Sequence, residues 1–252
     1  GKGMDENDID IAKKVGISDK DPTDHAGFRG IGIWSGVAIA DEILISTKKR
    51  GCPKIYYLKI DGAGIRKHLH SNVPLKELLE NNVSLALSRD IPLGEHFTHV
   101  QLKRIIPEVR DSEMWLEENM RQYIIQVLPL KLDPNWKYSK KVEDELKDNV
   151  PDYRVFHIEF QGKPVYRPPY NNNLEAPKFG SLFNDKKRRI GYWWFCINKD
   201  RGKLDEEDDF PRLILKKKAF TVGDRRSCVS LFNEGERLVS WTTGEIHAID
   251  PG

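Results

Sequence analysis

Residues 24–41, DHAGFRGIGIWSGVAIAD, constrain the fold of this chain more than any other stretch. Gly27, Gly30, Gly32 and Gly36 run into an apolar segment. There Ile31, Trp34, Val37 and Ala38 recur at intervals of three and four, so the loop is predicted to open a helix from Ile31. Glycine lacks Cβ, tolerates positive φ and lets the backbone approach a ligand closely. Glycines ahead of a helix gather backbone N–H groups around an anion, most often a phosphate. A Gly-rich turn into a packed helix is the plain alternative, and this stretch alone does not choose between them.

Two familiar phosphate loops fail on context. Gly30, Gly32 and Gly36 approach the dinucleotide-binding glycine pattern, but that turn must follow a buried apolar strand. The preceding SDKDPTDHA is polar and turn-rich. No Gly-Lys-Ser/Thr closes the run, which excludes a Walker A loop.

The chain has 252 residues, enough for one large domain or two ordinary ones. Its 41 basic and 39 acidic residues leave a net charge of +2, so no global nucleic-acid or membrane signature is present. Three scattered cysteines give no disulfide framework and fit a reducing compartment, which makes the cytoplasm the expected location. Cysteines and histidines do not complete a metal-ligand spacing, so no protein metal site is expected. No apolar run approaches the roughly twenty residues that span a bilayer. The chain opens on GKGMDENDID without an initiator methionine and closes on TTGEIHAIDPG, just after a strand-like run. Both ends suggest a piece of a longer protein.

Residues 5–15 carry acids early and lysines late, with Ile9, Ile11, Ala12 and Val15 at helical spacing and Gly16 as the stop. Strands are predicted at EILISTK, KIYYLKI, VSLALS and FTHVQLKRI, and helices at AGIRKHLH and PLKELLENN. The fold class is therefore α+β, with helices against a largely antiparallel sheet in a first domain over 1–110. A connector over 111–150 follows. It comprises a helix around DSEMWLEENMRQYIIQVLPL, with Trp115, Asn119, Gln122 and Ile125 on one face, and SKKVEDELKDN, read as a solvated helix. A second domain over 151–252 carries RVFHIEF, IGYWWFCIN, RLILKKKAFTVG and LVSWTTGEIHAID as strands, with PPYNNNLEAPKFG and DRGKLDEEDDFP as loops. YWWF at 192–195 reads as strand core, with base stacking the alternative. KKRR at 186–189 and KKK at 216–218 read as solvated surface, with nucleic acid the alternative. Ser227 and Ser230 lack a His/Asp arrangement that would make either a nucleophile.

In order along the chain stand GKGM, GISDK, GFRGIGIWS, ADEILISTK and FTHVQL. This succession resembles the GHKL ATPases, and within them the heat-shock-90 branch, over residues 1 to about 105. LILKKKAFTVGD and LVSWTTGEIHAIDP resemble, more loosely, the ribosomal-protein-like α/β transducer domain that follows in that family. The resemblance implies a partial Bergerat-type α/β sandwich, ATP with Mg2+ as cofactors, and closure of a lid relayed to partners. A homodimer, or a client protein that the sequence does not name, would receive that signal. Carried over by position, Gly1 and Gly3 form the turn beneath the adenine and Met4 packs on the base. Gly16, Ser18 and Lys20 begin the lid near the ribose and phosphates. Gly27, Gly30, Ile31 and Gly32 present N–H groups to the β- and γ-phosphates, flanked by Phe28 and Ile33. Thr98 supports the adenine end through its hydroxyl, usually with water.

The departures matter equally. The family's adenine-reading Asp belongs two residues before Gly1, and its Glu general base and Mg-binding Asn earlier still, so no catalytic residue is assigned here. Arg29 stands where an apolar residue is usual; it either pairs with Asp21 or Asp24 or adds charge near the phosphates. Phe97 replaces the glycine before Thr98, and the lid over 20–27 is short. A nucleotide-responsive module without turnover is one alternative function, and a DNA-associated ATPase of the MutL or gyrase type another.

Overall fold

The computed structural model describes residues 2–18, 30–88, 94–205, 212–223 and 240–249. The chain divides into two compact units, Gly1–Ser112 and Glu113–Gly252.

The first unit packs short helices on one face of an antiparallel sheet. Helix α1, Glu6–Ala12, starts at a reciprocal capping box in which Asp5 accepts from the Asp8 N–H and Asp8 from the Asp5 N–H, both at 3.0 Å. Strand β1 (Ala40–Lys48) pairs with β2 (Ile55–Asp61), and β2 with β3 (Val83–Ser88). Strand β4 (Phe97–Ile105) pairs along the other side of β1, giving the order β3-β2-β1-β4. Helices α2 (Gly62–His68) and α3 (Leu75–Asn82) fall between β2 and β3, and α4 (Pro107–Arg110) follows β4. Alternation in β1 turns Ile43, Ile45 and Thr47 inward, opposite Ile60, Leu58 and Tyr56 on one side and Leu102, Val100 and Thr98 on the other. The core joins Ile43, Ile45, Leu58 and Ile60 to Trp34, Ile65 and Leu78.

The helix expected from Ile31 is a five-residue 3-10 turn, Trp34–Ala38. It starts three residues later than expected and ends at Ala38, where Arg66 of α2 donates to the Val37 and Ala40 carbonyls, at 2.5 and 2.7 Å, and to Asp41 at 2.5 Å. These bonds satisfy carbonyls at the C-terminal end of the turn, which the turn's own backbone leaves open.

The second unit is built on a five-stranded mixed sheet of order β10-β9-β11-β8-β7, from β7 (Lys178–Phe183), β8 (Arg189–Ile197), β9 (Arg212–Lys217), β10 (Phe220–Thr221) and β11 (Thr242–Ala248). Only β9 and β11 run parallel. A small hairpin, β5 (Ile158–Phe160) with β6 (Lys163–Val165), precedes it. Strand β5 covers only the end of the strand expected over 154–160, and β7 takes in Lys178–Gly180 of an expected loop. Helix α5 is Glu117–Val127, with Ile125 buried and Trp115 exposed on the expected packing face. Helix α6, Ser139–Asn149, has the expected bounds but not the expected solvation. Val142 and Leu146 are fully buried against Trp136, Tyr192 and Trp194, because a narrow i, i+4 apolar stripe suffices to dock a helix otherwise rich in charge. In YWWF, Tyr192 and Trp194 join this core while Trp193 and Phe195 stack on each other from the opposite face.

Candidate functional site

The turn before α1 and the ends of β1 and β4 meet in one place. Gly3 has φ +72, and a Cβ there would sit 1.8 Å from the Lys48 carbonyl oxygen. Only glycine permits this contact between the turn and β1. The next N–H, of Met4, donates to Thr47 Oγ1 at 2.9 Å. Thr47 is fully buried; its hydroxyl donates to the Phe97 carbonyl at 3.0 Å and lies 2.9 Å from Thr98 Oγ1. A hydroxyl carries one proton and two lone pairs. With its proton on Phe97 and one lone pair taken by Met4, Thr47 has a lone pair left, which in that arrangement accepts from Thr98. Thr98 is itself an exposed residue.

Charges brace the same corner. Lys48, buried at the end of β1, donates to the Glu95 carbonyl at 2.6 Å. Lys49 Nζ lies 2.6 Å from Asp5 and 3.0 Å from Asp8, closing over the capping box of α1. The hydrogen bond from Lys49, aided by the Asp8 N–H, holds the Asp5 carboxyl down at about 2.

The glycine run begins at the other end of α1. Gly16 has φ +75 and no described atom within 4 Å of a Cβ added there. Gly30 has φ +63 and abuts Ile17, whose carbonyl oxygen would lie 2.1 Å from a Gly30 Cβ. The segment holding Gly16 and Ser18 is thus seated on Gly30. Ile31 is 52% exposed, whereas Ile33 packs against the core. Ser35 donates to the Gly32 carbonyl at 2.7 Å. Gly32 differs from Gly3 and Gly30: its φ is ordinary for any residue, and no described atom lies within 4 Å of its absent Cβ. The packing of the described residues does not require a glycine there.

Among the residues assigned from sequence, the structure brings Gly3, Met4 and Thr98 together through Thr47, and Gly16 and Ser18 to Gly30 and its successors Ile31, Gly32 and Ile33. Gly1, Lys20, Gly27, Phe28 and Arg29 lie outside the described residues. Thr47, Lys48, Lys49 and Arg66 were missed. The signal for Thr47 was present, as a hydroxyl on the inward face of β1 after the aliphatic Ile43 and Ile45. Nothing local marks Arg66, whose partners lie 25 to 29 residues earlier. Among the described residues no three His, Cys, Asp or Glu side chains are placed to hold a metal ion.

A separate polar cluster lies inside the second unit. Arg167 pairs with Glu143 at 3.2 Å and Glu245 at 3.1 Å and donates to the Leu130 carbonyl at 2.8 Å. Glu245 also meets Lys216 at 3.5 Å, His247 at 3.1 Å and the Trp194 indole at 2.9 Å. Lys216, expected on the surface with its neighbours in KKK, is instead buried, because Glu245 on the adjacent β11 supplies its counter-charge. Burial works to raise Glu245, yet Arg167 and Lys216 hold it well below the usual carboxylate range. Burial lowers Lys216 and His247. The space beside Arg167, Lys216 and Glu245 is about 10 Å³, room for no more than a water. Within this cluster Arg167 Nη1 and His247 Nδ1 have no hydrogen-bond partner among the described residues.

Two solved structures bear a likeness to the whole chain. The ATPase region of Saccharomyces cerevisiae topoisomerase II matches with a TM-score of 0.45 and 10% identity, over 99% of this chain and 62% of that one. The same region bound to ICRF-187 (dexrazoxane) gives a TM-score of 0.44 at the same identity and coverage. The chain thus spans 62% of the length of the structures it matches. A likeness of that degree transfers no residue role. No protein-family model matches the chain, and no curated protein matches it. No helix among the described residues is long and apolar enough to cross a membrane.

Proposed function

We propose that the first unit is a nucleotide-binding module of a heat-shock-90-like GHKL ATPase, taking ATP with Mg2+. The observation that carries this reading is the hydroxyl relay from Met4 through Thr47 to Thr98. It joins residues that the resemblance assigns to the adenine end and reaches the exposed Thr98, whose hydroxyl would accept from a base. An adenine amino group is the matching donor, whereas guanine offers a carbonyl at the same ring position. Gly32 supports the phosphate end, as a glycine beside which no described atom lies within 4 Å of an added Cβ. The 3-10 turn is too short for a helix dipole to contribute much, so loop amides would carry the phosphate contacts. Magnesium would come with the phosphates. It would neutralise their charge, while the residues of this chain bind and orient the nucleotide. Lid closure over residues 20–27, and its relay to a second copy or a client, belong to the same reading of the longer protein.

Calorimetry with Mg·ATP tests it. The chain should bind ATP weakly and in preference to GTP, and Gly32→Val should abolish binding while the melting temperature stays within a few degrees. Because the resemblance places the general base outside these residues, turnover should not exceed background. Unchanged ATP affinity in a folded Gly32→Val variant would remove the phosphate assignment. Equal affinity for GTP would remove the adenine assignment.

A further inference from the structure

The second unit carries an open groove of about 810 Å³ that the nucleotide reading does not use. One wall is a face of α6, and the opposite wall comes from the segments around 131–134 and 153–156. Lys131, Lys140 and Arg154 line it, all exposed, and none has an ionic partner among the described residues. The groove's acids are already neutralised: Glu143 pairs with Arg167 at 3.2 Å, and Asp144 with Lys147 at 3.6 Å. Phe156 and Tyr166 line the same groove, and Phe156 is 50% exposed.

We propose that this groove binds single-stranded nucleic acid, with Lys131, Lys140 and Arg154 on phosphates and Phe156 as a platform for a base. Uncompensated cations select an anion, and an exposed aromatic side chain among them selects one that also offers a flat π face. A nucleic-acid strand carries both in every repeat; an acidic peptide carries only the first. In a duplex the bases are already stacked and inaccessible to a side chain standing in a groove. Neither basic run that stands out in the sequence contributes. Lys216 of KKK is buried, and Arg189 of KKRR donates to the Asn149 carbonyl at 2.7 Å. The groove's cations come instead from scattered positions that only the fold gathers.

The test is fluorescence anisotropy of the 252-residue chain with a labelled oligothymidylate, its duplex with oligoadenylate, and a polyglutamate of matched charge. The single strand should bind best. If three phosphates are engaged, its log affinity should fall with log salt at a slope of about −2. Phe156→Ala should weaken single-strand binding by about five- to a hundredfold and leave polyglutamate unaffected. The double variant K140E/R154E should lose binding. Both alter exposed side chains, and circular dichroism confirms that the fold is retained. Binding of duplex or polyglutamate as tight as of the single strand would overturn the proposal, as would indifference to Phe156→Ala or no binding at low salt. Gly32→Val should leave the single-strand affinity unchanged, so failure here and failure of the ATP reading are separable.

Discussion

Both units bury polar groups beneath a sheet, and they do so to opposite ends. In the second unit Arg167, Lys216, Glu143, Glu245, His247 and Tyr153 pair with one another beside a space for no more than a water, with Arg167 Nη1 and His247 Nδ1 left without a hydrogen bond among the described residues. In the first, the buried Thr47 hydroxyl passes its last hydrogen bond to Thr98 at the surface. The charged network specifies how a core is assembled; the hydroxyl pair ties the turn before α1 to β4 and reaches an exposed residue. Burial of a polar group therefore does not mark a site by itself. What separates the two is whether the hydrogen bonding reaches the surface.

The largest expected effect tests the charged network. Glu245→Gln leaves Lys216 and Arg167 buried with too little counter-charge, and removing one partner of a buried ion pair costs about 3–5 kcal/mol. Urea unfolding should show that loss in the transition of the second unit. A loss below about 1 kcal/mol would mean that the cluster is hydrated.

In the first unit, Thr47→Val keeps the shape and strands the Met4 N–H. An unsatisfied buried donor costs about 1–3 kcal/mol. Thr98→Val, at the exposed end of the same relay, should cost clearly less in stability yet remove the preference for ATP over GTP. Equal destabilisation by the two would show that the relay is purely structural.

The glycines offer a finer contrast. Gly3→Ala combines positive φ with a Cβ 1.8 Å from the Lys48 oxygen and should destabilise by more than about 1 kcal/mol. Gly32→Ala meets no described atom and should be neutral or stabilising by up to about 1 kcal/mol. Thermal melts of the pair decide this. Equal losses would erase the distinction between a glycine kept for the fold and one kept for a ligand.

The smallest effect is on pH dependence. Burial holds His247 below its ordinary 6.5, against the pull of Glu245, with Lys216 and Arg167 also facing it. The unfolded chain then binds a proton below 6.5 that the folded chain does not, so stability falls on acidification from there, by at most about 1.4 kcal/mol per pH unit. Unfolding between pH 8 and 5 should show this slope, and His247→Gln should flatten it. Asp5, held at about 2, acts in a separate window. Its contribution is full above its usual 3.8 and disappears only as pH falls through about 2.

Much of the fold is legible in local pattern. The bounds of β4 and α6, the alternation of β1 and the existence of α1 follow from periodicity, which a linear sequence displays directly. Gly3, Met4 and Thr98 could be assigned only through a resemblance spread over a hundred residues. What the sequence could not display is pairing across distance. Arg66 caps the end of the 3-10 turn from 29 residues away, Glu245 draws Lys216 out of an apparent surface run, and a stripe of two residues buries a helix that reads as solvated. The composition of each segment was the same in every case. Tertiary structure decided the outcome because the free energy of a charge or a carbonyl depends on the partner that the fold brings within hydrogen-bond distance, and that partner is not a neighbour in the chain.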